Sequence, residues 1–423
     1  MTRSRVSLVL ALLLALPVGT QAQQLEETGD GVVATVNRTF AVDPGGTLDL
    51  QARNGDITVT GGDRSEVVVE ETIRFDDASR SEADEYLQEH PTTYDATGGT
   101  VRIRGPEDNG GGWDWWGGSG DDVQYRYVVE VPRRFSAQLR TSGGSLSITN
   151  LEGTVEGRTA GGSVTTERIV GNVTVRTAGG SLTLREIEGR VQGETAGGSV
   201  EVGAVTGPLD VQTAGGSIRV TEAGDDVTAE TAGGSIEVDS VGGTLDARTS
   251  GGDVVVRRVT GGVTAETAGG DIRLRDLDSD VSAETSGGDI EGEGLRGAVN
   301  ARTSAGDVQL RAVAAPVTAE TSVGDIEVEL TASSLSADPA LRLTTSHGDI
   351  DLTLPADLQA TIRAEVEGYG GGMGGDEIRS DVPLTREGGD GEPLRATGTM
   401  NGGGPAIELE TSGGSIRIRT GGS

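Results

Sequence analysis

The sequence predicts an all-β protein: a parallel β-solenoid, or β-helix, of 18-residue coils with β-rich caps at both ends. Three observations predict it. A motif led by threonine, as in TAGGSIEV at Thr231–Val238, returns at 141, 159, 177, 195, 213, 231, 249, 267, 285, 303 and 321 with no insertion or deletion. Inside each copy apolar and polar residues alternate with period two, the mark of a strand buried on one face. The 70 glycines of the 423-residue chain fall in phase with the repeat, which separates the segment from glycine-rich low-complexity chain.

The columns of the repeat define the coil. Three residues after the threonine, all eleven copies carry glycine, from Gly144 to Gly324. Five residues after it all carry Leu, Val or Ile, among them Ile236, Val254 and Ile272. The seventh, tenth and fourteenth positions are mostly aliphatic, and the sixteenth is small, as in Ala229, Ala247, Ala265 and Ala283. Each copy therefore holds two short strands, and β-branched residues suit both. The glycine pair makes one corner, and a second corner follows at Gly153, Gly171, Gly189, Gly207 and Gly243. Glycine fits such corners because they demand positive φ or close backbone approach. Eighteen residues at ~3.3 Å each make one flattened or triangular coil, with like residues stacked ~4.8 Å apart in the next. Six inward residues per coil would build a continuous Val, Ile, Leu, Ala and Thr core, stable only through neighbouring coils. Parallel crossovers favour a right-handed coil. A propeller blade needs about 40 residues, and the calcium-binding nonapeptide roll needs a glycine spacing these turns lack.

The flanks follow in chain order. Residues 1–22 carry two arginines, an apolar run and a small-residue cleavage site after Ala22, the plan of an export signal. Residues 23–140 form an N-terminal β-rich cap. In it TLDLQARNGDITVTGG looks like a worn first copy, EVVVEETIRF and VQYRYVVEVP are strands, and SRSEADEYLQEHP is a short helix ended by Pro91. A loop rich in Trp and Gly lies in the same region. Residues 141–330 are the regular solenoid. Residues 331–423 close it, with the motif returning at Thr345 and Thr411 after the phase slips.

Composition narrows the function. There is no cysteine, so disulfides, thiolate metal sites and a cysteine nucleophile are excluded. The net charge is −33, every one of the 34 basic residues is arginine, and the pI is about 4.3. Such a charge disfavours nucleic acid and anionic lipid. After signal removal no segment is long and apolar enough to span a bilayer as a helix. The mature protein is expected to be exported, to the periplasm, the cell surface or the medium.

The motifs TAGGSI, TSGGDI and NGDITV, placed after an exported N-terminus and before a closing TSGGSIRI, resemble the bacterial DUF4097 family, also called "putative adhesins". The resemblance covers about residues 40–420. It implies a β-solenoid envelope protein and brings no catalytic residues with it.

Candidate chemistry is sparse. The two histidines, His90 and His347, sit in unrelated settings, and there is no phosphate-binding loop or nucleophile elbow. No catalytic residue, cofactor or metal site is assigned. Four residues after the threonine the column is serine six times and then Asp253, Asp271, Asp289, Asp307 and Asp325. Those carboxylates either ladder Ca²⁺ or cap turn amides. Trp113, Trp115 and Trp116 share one acidic glycine-rich loop. They either stack on a sugar or anchor a protein contact, or they cover an apolar end of the solenoid. The reading that fits best is a non-enzymatic envelope scaffold or adhesin-like binding protein displaying rigid acidic faces to an envelope protein or a glycan. Two alternatives stand beside it. One is a carbohydrate-active β-helix enzyme of the polysaccharide-lyase type, which would need irregular loops that the central coils lack. The other is a partner in envelope-stress sensing.

Overall fold

The computed structural model describes residues 22–28, 31–106, 123–335, 339–367, 377–389 and 392–421. In the central region each coil gives one strand to each of two facing parallel sheets. Ile218–Ala223, Ile236–Val238, Val254–Arg257 and Ile272–Leu277 lie side by side in the first sheet. Val227–Thr231, Leu245–Arg248 and Val263–Glu266 do so in the second. The register advances by one repeat per strand: Ile236 pairs with Val254 and Val254 with Ile272. The coil is thus flattened, with two sheets and two corners, and each sheet holds 19 strands among the described residues.

The interior follows the columns. In the coil that begins at Thr141, the side chains of Leu146, Ile148, Leu151 and Val155 point in, together with Gly157 and the next threonine, Thr159. The step from the seventh to the tenth position breaks the period of two, so two successive residues face outward there. In most coils the backbone manages this with a residue in the left-handed region at the ninth position; Ala204, Glu222 and Ser240 make the same step without it. Asn150, Arg168, Glu186, Arg258, Asp276 and Ala312 have φ of +60°, +55°, +53°, +49°, +53° and +52°. Glycine takes this ninth position only at Gly294, φ +71°. Three residues further on, the second corner is glycine where the sequence placed it: Gly171 and Gly189 have φ of +146° and +148°, and a Cβ on Gly171 would lie 2.2 Å from the Gly153 carbonyl oxygen.

Of the two reasons for glycine at the main corner, close approach is the operative one in most coils. A Cβ on Gly234 would lie 2.1 Å from the carbonyl oxygen of Gly216 one coil below. A Cβ on its neighbour Gly233 would meet nothing nearer than 3.4 Å. The second glycine of each pair is therefore fixed by the stacking of backbones, and the first is not. Ala305, Val323 and His347 occupy the first position in later coils.

The buried threonines join the coils at this corner. Thr231 Oγ1 donates to the carbonyl of Gly216 in the coil below (2.8 Å) and accepts from the amide of Gly234 in its own coil (3.3 Å). The same pair of bonds recurs at Thr159, Thr177, Thr195, Thr213, Thr249 and Thr267. A buried hydroxyl that satisfies two backbone groups lets an edge of the core close without orphaned amides.

The ends depart from simple winding. Gly46–Gln51 and Asp56–Gly62 form a full coil whose Ile57 stacks on Leu146. The chain then runs outward and returns, so Thr100–Arg104 and Val123–Pro132 lie beyond that coil although they follow it in sequence. The first sheet continues further, through antiparallel Glu66–Asp76, Gly31–Ala41 and Ala22–Thr28. The second sheet gains only Thr93–Thr97. The helix Arg80–Glu89 packs over the surplus inner face: Ala83 is buried, and Tyr86 meets Phe75 edge-on at 5.3 Å. The helix falls where the sequence placed one, and Ser79 and Glu82 form its capping box. At the other end Ala406–Thr411 and Ile416–Gly421, the last copy of the motif, are not the outermost coil. Ala360–Val366 and Ile378–Ser380 lie outside them, followed in the second sheet by antiparallel Glu392–Met400 and Thr385–Gly389. Antiparallel strands end both sheets at the N-terminal end and the second sheet at the C-terminal end, which interrupts the parallel template that would recruit another chain; the first sheet ends there on the short parallel strand Ile378–Ser380.

Candidate functional site

The outer faces are built by alternation. Residues that cannot point inward on a strand stand in columns up the rod, one per coil, about 4.8 Å apart. On the first sheet Arg185 reaches Glu201 at 2.6 Å, Arg257 reaches Asp239 at 2.7 Å, and Arg273 lies between Asp253, Asp271 and Glu291. On the second sheet Arg248 meets Glu266 and Arg302 meets Glu320, each at 3.0 Å. Each exposed pair contributes only about 0–1 kcal/mol. Together they fix long side chains on a scaffold that does not bend.

The second sheet also carries an open groove of about 670 Å³. Its floor includes the outward residues Thr264, Ser282, Asn300 and Thr318, one per coil, and Arg302 and Pro339 stand among its walls. Short floor side chains beside longer ones make the depression. Asp246 Oδ1 and Asn300 Oδ1, both on lining residues, are buried and find no hydrogen-bond partner among the described residues.

The aspartate column caps turns. The amide of Asp271 donates to Asp253 Oδ1 (3.0 Å), that of Asp289 to Asp271 (3.0 Å), and those of Asp307 and Asp325 to the carboxylates below them (2.8 Å each). Serines do the same higher in the repeat, as Ser163 Oγ does for the amide of Ser181 at 3.1 Å. Among the described residues no three His, Asp or Glu side chains are placed to hold a metal ion together. His347 occupies an exposed corner position, where other copies have glycine. His90 ends the helix and stacks on Tyr86 at 4.5 Å. The two histidines are not brought together.

Trp113, Trp115 and Trp116 lie outside the described residues. The segment that carries them joins Thr100–Arg104 to Val123–Pro132, so it springs from the outer coil of the N-terminal cap.

The N-terminal cap also holds a polar cluster that the sequence reading missed. Glu71 is 1% exposed; it accepts from Thr92 Oγ1 at 2.5 Å and from the Tyr94 hydroxyl. Arg38 lies over the Tyr94 ring at 5.0 Å, and the Tyr125 hydroxyl bonds that of Tyr86 at 3.1 Å. Burial holds the Tyr94, Tyr125 and Tyr127 hydroxyls well above the ordinary tyrosine range. The Glu71 carboxylate adds to the shift in Tyr94 and Tyr127. These phenols stay neutral and act as hydrogen-bonding struts. The signal was present in the strand EVVVEETIRF, where Glu71 falls in phase with Val67, Val69 and Ile73 on the inward face.

A family model described as Toastrack DUF4097 matches residues 46–290 and 240–419. No curated protein matches the chain at a significant level. Three solved structures are similar. One, titled a "putative cell adhesion protein" from Clostridium sporogenes, is 10% identical over 91% of this chain and 99% of its own, with a TM-score of 0.19. A "putative adhesin" from Bacteroides fragilis is 10% identical over 75% and 96%, with a TM-score of 0.18. A "putative lipid binding protein" from Parabacteroides distasonis is 13% identical over 77% and 98%, with a TM-score of 0.21. Superpositions this loose fix no detail of fold or ligand.

Proposed function

The chain belongs to the Toastrack DUF4097 family, and from that premise we propose that it is an exported, non-enzymatic, adhesin-like binding protein. In this reading residues 1–22 are removed on export, 23–140 form the N-terminal cap, 141–330 the display rod and 331–423 its closure. Its partner is an envelope protein or a glycan rather than nucleic acid. One observation carries the reading: the rod repeats its backbone without insertion while its outward columns vary from coil to coil. The scaffold is constant and the surface is free to be matched to a partner. Adhesin-type titles among the similar structures agree with it. The Trp113, Trp115 and Trp116 side chains are proposed as an anchor at the cap.

The test sets binding beside turnover. Mature protein is applied to a glycan array and incubated with neutral and anionic polysaccharides. In parallel, envelope fractions are passed over wild type and a Trp113/Trp115/Trp116→Ala variant. Binding without cleavage, weakened in the variant, is the expected result. Cleavage abolished by changing a single acidic residue would make the protein an enzyme instead. Sequencing the N-terminus of the mature protein checks export, with Gln23 expected first.

A further inference from the structure

One column of the outer faces stacks arginine upon arginine. On the second sheet Arg140 of Phe135–Arg140 is in register with Arg158 of Val155–Arg158, and Arg158 with Arg176 of Val173–Thr177. Two strands further toward the N-terminal end the same column reads Gln51 and then Arg104. Four of five consecutive strands thus place an arginine at one point of the outer face. Adjacent strands lie ~4.8 Å apart, and like charges directly opposite are destabilising.

Many arginines elsewhere on the two sheets have acids against them. Arg248 has Glu266, Arg302 has Glu320, and Arg342 has Glu408 at 2.6 Å. Arg257 and Arg275 are neighbours on the first sheet, yet Arg257 is held by Glu237 and Asp239. In the present column only the ends are held: Arg104 by Asp49 at 2.5 Å, and Arg176 by Glu194 at 3.2 Å. The exposed side chains of Arg140 and Arg158 have no ion pair or hydrogen bond among the described residues. Glu156, two residues before Arg158 on the same face, makes none with them. The chain has 67 acidic residues for 34 arginines, so this is no shortage of acids.

We propose that Arg140, Arg158 and Arg176 form a binding track for a linear acidic polysaccharide whose carboxylates run along the rod axis. This deepens the binding-protein reading and rests on it. The planar guanidinium fork matches a carboxylate with two parallel hydrogen bonds. Three forks at fixed rise suit a polymer that presents acid groups at intervals, and a rigid ladder loses little entropy on binding. The net charge of −33 weakens the long-range attraction of any polyanion, so recognition rests on the local positive stripe and on the match between its rise and the spacing of planar carboxylates along the polymer.

The experiment uses the mature full chain. Polyuronate oligosaccharides, neutral dextran oligosaccharides and single-stranded DNA are titrated by calorimetry into wild type, Arg140→Gln/Arg158→Gln/Arg176→Gln, and a first-sheet control, Arg311→Gln. Thermal melts establish that each variant is folded, and Arg158→Gln alone serves if the triple variant is not. Wild type is expected to bind polyuronate, more weakly as salt rises, and to ignore dextran at this surface. The triple variant should lose affinity by roughly 30-fold or more, and the control should not. Equal binding by the triple variant, no binding by wild type, or tighter binding of DNA overturns the track. Cleavage of the polyuronate would instead overturn the non-enzymatic reading and leave the track standing. Polyuronate binding that survives in the triple variant and is lost in the Trp113/Trp115/Trp116→Ala variant would refute the track alone and leave the binding-protein reading standing.

Discussion

From residue 141 to residue 330 the chain contains no aromatic residue, whereas all three phenylalanines and four of the five tyrosines precede Thr141. The rod is a translation: each coil meets a near copy of itself above and below. Aliphatic side chains of similar size then fill the interior, and identical Thr–Gly bonds close each corner. The cap must end that translation. Its first sheet outruns its second, and the surplus inner face is covered by a helix, large rings and a buried carboxylate that no repeat supplies. Stability that accumulates by repetition is spread over many equal contacts. In the cap it depends on a few side chains with no second copy. The two regions should therefore fail under different insults.

Alkali is the largest. Tyr94, Tyr125 and Tyr127 have hydroxyls held above their ordinary value, chiefly by burial. A group whose folded pKa is raised contributes stability that is fully present below its unfolded pKa, near 10, and is lost as pH climbs beyond it. Each of the three should cost about 1.4 kcal/mol per pH unit above that point, or about 4 kcal/mol for the set one unit higher. The region 141–330 has no tyrosine and no such term. Hydrogen exchange at rising pH should show the cap opening first, with phenolate absorbance appearing together with that opening. Phenolate formation in these tyrosines while the cap stays protected would show that the hydroxyls are not buried as described.

The rod is more sensitive to a single methyl group. Gly234→Ala drives a Cβ to 2.1 Å from the Gly216 carbonyl oxygen, and Gly233→Ala reaches nothing closer than 3.4 Å. The first should lose about 3 kcal/mol or more, because two backbones must part; the second should change little. Chemical denaturation of the two variants side by side gives the difference. A smaller loss follows from Thr231→Val, which keeps the shape and removes the bonds to Gly216 and Gly234. A buried amide left without an acceptor costs roughly 1–3 kcal/mol. Because the same bonds recur up the stack, Thr195→Val should cost about as much, and a twofold disparity between them would argue against equivalent coils.

The same contrast explains what could be read from sequence. The rod was legible because columns of like residues leave a period that no helix or propeller can imitate; Ile236, Val254 and Ile272 fall where the 18-residue pitch places them. Glycine was legible as a corner residue, although only the structure separates the fixed Gly234 from the free Gly233. The ends were not legible in their strand order, which depends on pairings such as Asp49 with Arg102 across long stretches of chain. The Glu71–Tyr94 bond was hidden for the same reason. The arginine track needs register as well as composition, since Arg140, Arg158 and Arg176 look like ordinary solvated residues until their strands are stacked.

The smallest expected effect concerns the ninth position of the coil, where the sequence shows nothing and the backbone is left-handed. Asn150, Arg168, Glu186, Arg258, Asp276 and Ala312 all take φ near +50° to +60°, a region that costs an L-residue about 1–2 kcal/mol and glycine almost nothing. Ala312 tests this most cleanly, because its exposed methyl group has no bonding role to lose. Glycine there releases the strain but gives the unfolded chain more freedom, which takes back roughly 0.5–1 kcal/mol. Ala312→Gly should therefore stabilise by about 0.5–1 kcal/mol, measured as a rise in denaturation midpoint at constant slope. A helix or ordinary strand interior would respond with the opposite sign. A loss of stability would mean that the pleat reverses there by some means other than the left-handed residue, and the odd spacing of the seventh and tenth positions would need a different cause.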